Sequence, residues 1–302
     1  MRIAFSSLYR VDMAGHVFAT EKFLGTAERL ARLRVISSAD LWEPPESSRE
    51  NLLSVHTPRW IDSAVSGCLS PLEIARLEIP QSPEIVSAHL RAVSGTLEAC
   101  RQAMRTGLGL HIGGGSHHAF PDHGEGFCMF NDLAVAARKM LDEKRPRSVM
   151  IVDLDVHQGN GTAFIFLGDP RVLTFSMHQQ DLYPEKKETS TLDIGLKAGT
   201  RDERYLSILR ESLPPLLESR HPGLVIYQAG ADVYEKDRLG GLKLSIQGVQ
   251  ERDKIVYESC RNFKIPVAVT LGGGYAAELR DTVEIHCNTL RMAIRCLARP
   301  RP

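Results

Sequence analysis

Apolar runs rich in β-branched residues recur along this chain, at residues 2–6, 108–112, 148–152, 172–176, 224–227 and 267–271. Short, continuously apolar runs of this kind suit strands buried on both faces. The longer stretches between them carry the helical period. Ser82-Pro83-Glu84 reads as a helix N-cap with proline at the first helical position, and Leu90, Val93, Leu97, Cys100 and Met104 recur at spacings of three and four until Gly107 ends the segment. Thr57-Pro58 opens a shorter helix in the same way, with Trp60, Ile61, Ala64 and Val65 inward and Gly67 as terminator. Further helices are expected over 133–141, 205–217 and 249–263, and Pro214-Pro215 is expected to end or kink the second of these. Residues 42–48 read as a surface loop. Regular alternation of strand and helix predicts an α/β fold with a mostly parallel central sheet flanked by helices, and residues 1–302 are expected to form a single domain.

Charge excludes some functions. Lys and Arg number 37, as do Asp and Glu, so the formal net charge is zero, and the only basic block is a short Arg-Pro tail at the C-terminus. A nucleic-acid partner is not expected. The start of the chain is too poor in apolar residues for a signal peptide, and no apolar run approaches membrane-spanning length. A soluble cytoplasmic protein that does not engage membranes is therefore expected. The six cysteines (68, 100, 128, 260, 287 and 296) include no Cys-x-x-Cys pair, so they form neither a thiolate metal site nor an evident disulfide framework. Cys128 is expected to pack as a small buried hydrophobe.

Chemistry collects at four of the strand ends. His117-His118 follows the run to Ile112, Asp153-Leu154-Asp155-Val156-His157 follows Val152, Asp232 follows Tyr227, and Gly272-Gly273-Gly274-Tyr275 follows Leu271. In an open parallel sheet the carboxyl ends of the strands lie on one edge, where ligands bind, so these segments can converge on one pocket. Asp155, His157 and Asp232 make a set of three protein ligands that leaves a position open for water, as a catalytic zinc site requires. Oxygen and nitrogen donors without thiolate also admit Fe2+, Mn2+ or Co2+. Asp153, two before Asp155, is assigned as an acceptor for a histidine rather than as a ligand. His117 and His118 would diverge on an extended backbone, but both can face one cavity from a glycine-rich loop. His16, His56, His89, His111, His123, His178, His221 and His286 are assigned packing or surface roles. The glycines before Tyr275 form either a tight turn or a close backbone approach that brings the phenol to a developing oxyanion. They lack the Lys and Ser/Thr of a phosphate loop.

Taken in order, these motifs resemble the histone deacetylase family of metal-dependent amidohydrolases. The resemblance rests on 113–119, Gly126-Phe127-Cys128 with Asn131-Asp132, 153–161, 230–239 and 271–275, while the first eighty residues match loosely. It implies the arginase/deacetylase-like three-layer α/β fold, zinc on Asp155, His157 and Asp232, catalytic histidines at His117 and His118, and an oxyanion-stabilising Tyr275. It places Gly126, Phe127, Tyr183, Leu239 and Gly273 along the substrate tunnel. A structural K+ would fall on Asp153, Asp155, His157, Ser176 and Met177. His157-Gln158-Gly159-Asn160 departs from the His-His-Gly-Asp of class I and II members and is similar to the class IV branch, and the resemblance implies a bacterial member of the family. A neutral Asn160 orients His118 without raising its basicity as an aspartate would.

The implied reaction is hydrolysis of an N-acyl amide, with His118 as the proton carrier and His117, held by Asp153, stabilising charge nearby. Substrates in range are N-acylated lysine, acetylated polyamines, longer acyl chains and small acetylated metabolites. Leu239, near where polyamine-selective relatives place an acidic gate, disfavours polyamines, although Glu235 and Asp237 lie close by. Two other readings compete. A binuclear manganese ureohydrolase would need more bridging carboxylates than Ala231-Asp232-Val233-Tyr234 offers, and a catalytically silent acyl-lysine binding protein would not need the full set of histidines and tyrosine. Oligomeric state is not legible in the sequence.

Overall fold

The computed structural model describes residues 2–13 and 15–298; Met1 and the Arg-Pro tail, parts of the expected 1–302 span, lie outside the described residues. In chain order the elements are β1 (Ile3–Ala4), α1 (Glu21–Arg32), β2 (Leu41–Trp42), α2 (Arg49–Leu52), α3 (Pro58–Val65), α4 (Pro71–Leu77), α5 (Pro83–Thr106), β3 (Leu108–His111), α6 (Asp132–Asp142), β4 (Val149–Asp153), α7 (Asn160–Phe166), β5 (Val172–Gln179), β6 (Leu192–Leu196), α8 (Asp202–Arg220), β7 (Leu224–Gln228), α9 (Ile246–Asn262), β8 (Val267–Thr270) and α10 (Leu279–Leu297). Local chemistry sets their ends. The Ser82 hydroxyl accepts from the Ile85 N–H to cap α5, and Gly107, at φ +91°, closes it in the left-handed region. Thr57 caps α3 by accepting from the Trp60 N–H.

The eight strands form one sheet in the order β2-β1-β3-β8-β7-β4-β5-β6, and every pairing between them is parallel. Strand alternation divides the core into two layers. Val149 and Ile151 of β4, with Leu224 and Ile226 of β7, pack with Leu97 and Cys100 of α5 and Ala136 and Met140 of α6. Met150, Val152, Val225 and Tyr227 pack on the other face with Leu209 and Leu213 of α8, Val256 of α9 and Leu290 of α10. The result is a three-layer α/β arrangement, helices on both faces of a parallel sheet, as the resemblance implies.

Three expectations change. Helix α8 does not end at Pro214-Pro215 but continues to Arg220. Pro214 is half-buried and Pro215 exposed, and the carbonyls they leave without an N–H donor belong to Arg210 and Glu211, both exposed and so within reach of solvent. Trp42 is not in a loop: it pairs with Ala4 in the two-residue strand β2. Val65, the last residue of α3, is exposed rather than turned inward with Trp60, Ile61 and Ala64.

The sheet order has one consequence for function. The four strands whose following segments carry the chemistry, β3, β8, β7 and β4, are consecutive in the middle of the sheet. Their carboxyl ends therefore form one continuous edge.

Candidate active site

The histidine pair hangs from the loop after β3. Asp132, at the start of α6, accepts from the Gly115 N–H (3.0 Å) and the Ser116 N–H (2.7 Å), fixing the backbone just before His117. Behind Asp132 a buried polar chain supports it: Thr96 donates to Asp132, and His111 lies between the Thr96 hydroxyl (2.9 Å from Nδ1) and the Tyr9 hydroxyl (2.8 Å from Nε2). Asn131 caps α6 and donates to the Ala119 carbonyl, tying the other end of the loop down.

Asp155, His157 and Asp232 bring one donor atom each within 4.8 Å of one another, and all three are buried. His157 Nδ1 lies 3.1 Å from Asp155 Oδ1 and 3.4 Å from Asp232 Oδ2. The remaining oxygens are already engaged. Asp155 Oδ2 accepts from Gln228 Nε2 (2.9 Å) and the Gly273 N–H (3.0 Å), and Asp232 Oδ1 accepts from the Val156 N–H (2.9 Å). Asp232 Oδ2 is buried with no hydrogen bond, which is costly unless a cation completes it. Charge in the protein alone points the same way. Burial lowers the basicity of His157, yet hydrogen bonds to Asp155 and Asp232 outweigh it and push its pKa up to about 10. The carboxylate pair draws positive charge to this point, and two oxygen donors with an imidazole are a set that fits Zn2+ or another borderline divalent ion.

Gly273 shows how tightly the site is drawn. A Cβ there would lie 2.0 Å from Asp232 Oδ2 and 2.6 Å from Asp155 Oδ2, so only glycine lets this backbone reach the carboxylates. The position assigned to the tunnel thus lies against the ligand set.

The two histidines differ in partner. His117 Nδ1 pairs with Asp153 Oδ2 at 2.6 Å, and His118 Nδ1 with Asn160 Oδ1 at 2.7 Å. Burial works against protonating either. Asp153 and Asp155 overcome it at His117, whose pKa is pushed up to about 9, whereas His118 falls well below 6.5 because the charges of His117 and His157 add to burial.

Tyr275 is aligned by Asp237, which accepts from its backbone N–H at 2.7 Å. Burial and the charges of Asp155 and Asp232 keep the phenol protonated, its pKa well above 10. Phe127 meets the Tyr275 ring edge-on with centroids 5.9 Å apart, and Tyr183 meets His118 edge-on at 5.0 Å. Gly126 lies where a Cβ would touch His118 and the Tyr183 ring. Leu239 is half-buried, and its N–H donates to Asp237. Asp237 also accepts from Gly240, so its carboxylate faces inward and holds Tyr275 rather than standing at the rim as a gate. Ser176 is the register partner of Asp153 and hydrogen-bonds His178 at 2.9 Å; Met177 is buried next to it.

Several residues of this site escaped sequence reading. Lys22, fully buried on α1, donates to the carbonyls of Gly272 (3.0 Å) and Gly274 (3.4 Å) and lies 5.1 Å from the Tyr275 ring centre. Its pKa is pulled to about 8 by burial, against the upward pull of Asp232, Asp155 and Asp237. Gln228, Asp237 and Glu125, which accepts from Asn160 Nδ2 at 2.7 Å, also belong to the site. Gln228 and Glu125 each adjoin a motif and Asp237 lies within one, whereas Lys22 had no local signal. His56, His111 and His178 are buried and hydrogen-bonded, consistent with packing roles. Cys128 is buried likewise.

The chain is 41% identical over 271 residues to an uncharacterized protein of Picosynechococcus, with 90% of each chain covered. It is 31% identical to histone deacetylase 2 of Arabidopsis thaliana, covering 93% of this chain and 77% of that one. It is 25% identical to the acetoin utilization protein AcuC of Staphylococcus aureus, covering 86% and 72%. The crystal structure of the HDA15 HD domain superposes with a TM-score of 0.81 at 21% identity, over 97% of this chain and 91% of that one, a likeness of fold. The family model for the histone deacetylase domain matches residues 16–290, a span that contains both histidines, the three clustered donors and Tyr275; the chain belongs to the histone deacetylase family.

Proposed function

We propose that the chain is a zinc-dependent deacylase that hydrolyses the amide of an N-acyl amine such as acetyl-lysine or a longer acyl-lysine, with residues 1–302 as one catalytic unit. The observation that carries this reading is the buried donor set of Asp155, His157 and Asp232 beside two histidines of opposite basicity. Zn2+, or Fe2+, Mn2+ or Co2+ on the same donors, supplies a Lewis acid for the acyl oxygen and lowers the pKa of water. The protonated Tyr275 phenol donates to the oxygen as negative charge develops on it. His118 stays neutral and so accepts the proton released by the attacking water, then delivers it to the leaving amine. His117 carries its proton against Asp153 and offsets charge beside the reacting centre. Phe127, Gly126 and Tyr183 line the approach of the acyl-bearing chain, with Leu239 at its margin. Asp153, Asp155, His157, Ser176 and Met177 are proposed to hold a structural K+ through side-chain and carbonyl oxygens.

The test is turnover of acetyl-, butyryl- and myristoyl-lysine peptides and of acetylated polyamines by protein of measured metal content. One catalytic ion per chain with acyl-lysine turnover is expected. Two ions per chain would favour the ureohydrolase-like reading. Tight binding of acyl-lysine with no turnover by the loaded protein would favour a silent binding protein.

A further inference from the structure

Asn160 poses a problem that an aspartate would not. The two oxygens of a carboxylate are equivalent, whereas an amide can turn either Oδ1 or Nδ2 toward its neighbour. If Oδ1 faces His118 Nδ1, that nitrogen must carry the proton, and the lone pair lies on Nε2. If Nδ2 faces it, Nδ1 must be the acceptor, and Nε2 carries the proton and cannot act as a base.

We propose that Glu125 is a positioning residue that sets the orientation of the Asn160 amide and through it the tautomer of His118. Glu125 Oε1 lies 2.7 Å from Asn160 Nδ2, and Asn160 Oδ1 lies 2.7 Å from His118 Nδ1. An ionised carboxylate only accepts, so the amide atom facing it must be the N–H donor and the atom facing His118 must be the acceptor. The orientation thus follows from chemistry, whichever way the amide is drawn. Glu125 is held for this. Its backbone N–H bonds the Cys128 carbonyl at 3.1 Å, and His123 Nε2 lies 3.6 Å from its other oxygen. The Asn160 hydrogen bond, with His123 and Tyr183 close by, outweighs burial and keeps its pKa below the usual glutamate value. The side chain is 20% exposed at an open groove lined by Phe120, His123, Phe164 and Tyr183, so its effect on His118 passes through Asn160.

The inference rests on the deacylase reading for its kinetic consequence but not for its structural one, and the experiment separates them. In zinc-loaded protein with 15N-labelled histidine, His118 is expected as a single Nδ1–H tautomer. Glu125→Ala is expected to give mixed tautomers and to lower kcat about tenfold, as other orienting partners do, while KM stays within about twofold. In an Asn160→Asp background one carboxylate oxygen faces Glu125 itself, so adding Glu125→Ala removes a contact between two acceptors and is expected to cause no loss of kcat. Where Glu125→Ala folds poorly, Glu125→Gln keeps the size but both donates and accepts, and mixed tautomers are again expected. An unchanged single tautomer in these variants, or an equal loss of kcat with and without the Asn160→Asp substitution, would overturn the proposal. If the wild-type protein turns over no acyl amide, the deacylase reading fails, and the tautomer measurement still decides the role of Glu125.

Discussion

His117 and His118 adjoin in sequence, lie 4.1 Å apart between ring centres and are equally buried, yet one is drawn toward the cation and the other toward the neutral base. Their partners differ in one group: a carboxylate at Asp153, an amide at Asn160. Burial alone would make both rings weak bases, because it disfavours the charged form. An adjacent carboxylate reverses this at His117, and a neutral amide leaves it in force at His118. Two identical side chains thereby differ in basicity without any difference in depth.

The most severe break of this pair is removal of a ring. His118→Ala is expected to lower turnover by about 10²–10⁴ as the loss of a general base, and His117→Ala by less; equal losses in kcat at fixed metal content would dissolve the distinction. Tyr275→Phe asks whether the charge on His117 can replace the phenol. A loss of about 10²–10³ is expected if the phenol is the oxyanion donor, and a near-normal rate would remove Tyr275 from the mechanism. Asp153→Asn gives both histidines amide partners. It is expected to cost about 10–100-fold, and 15N spectra should show His117 losing its proton at lower pH than in the wild type.

The finest test converts the second pair into the first. Asn160→Asp places a carboxylate on His118 and raises its pKa. A base works only while neutral, so a low pKa keeps the wild type active into acid, and raising it moves the acidic limb of the rate profile to higher pH. An upward displacement of about one unit is expected for a newly adjacent carboxylate, and an unmoved limb would refute the account.

Residues that act through short, continuous motifs were the ones legible in the sequence. Val149–Asp153 announces a buried strand by its apolar run, and the strand end delivers Asp155 and His157 together, so composition and place coincide. The sheet order is not written in any local pattern, but the rule that ligands gather at carboxyl edges was enough to associate Asp232 and Tyr275 with them. What escaped was either short or distant. Strand β6 alternates half-buried and exposed residues at the sheet edge, and β2 has two residues, so neither makes an apolar run. Lys22 lies 250 positions from Gly272, whose carbonyl it bonds, and a lysine on an amphipathic helix ordinarily faces solvent. Asp237 looked like a rim acid because spacing does not reveal that its carboxylate is used by three backbone N–H groups.

Lys22 also bears on how far the protein can be trimmed. The N-terminal segment matches family motifs only loosely and would look dispensable to anyone designing a minimal enzyme from Ser82 onward. Such a chain would lose the ammonium that meets the Gly272 and Gly274 carbonyls, along with Phe18, whose ring centre lies 6.2 Å from that of Tyr275. The backbone that carries the phenol would then rest against solvent. An intact 272–275 segment therefore needs the chain from upstream of α1, and loop grafts that import only the motifs would bring these groups without the floor they stand on.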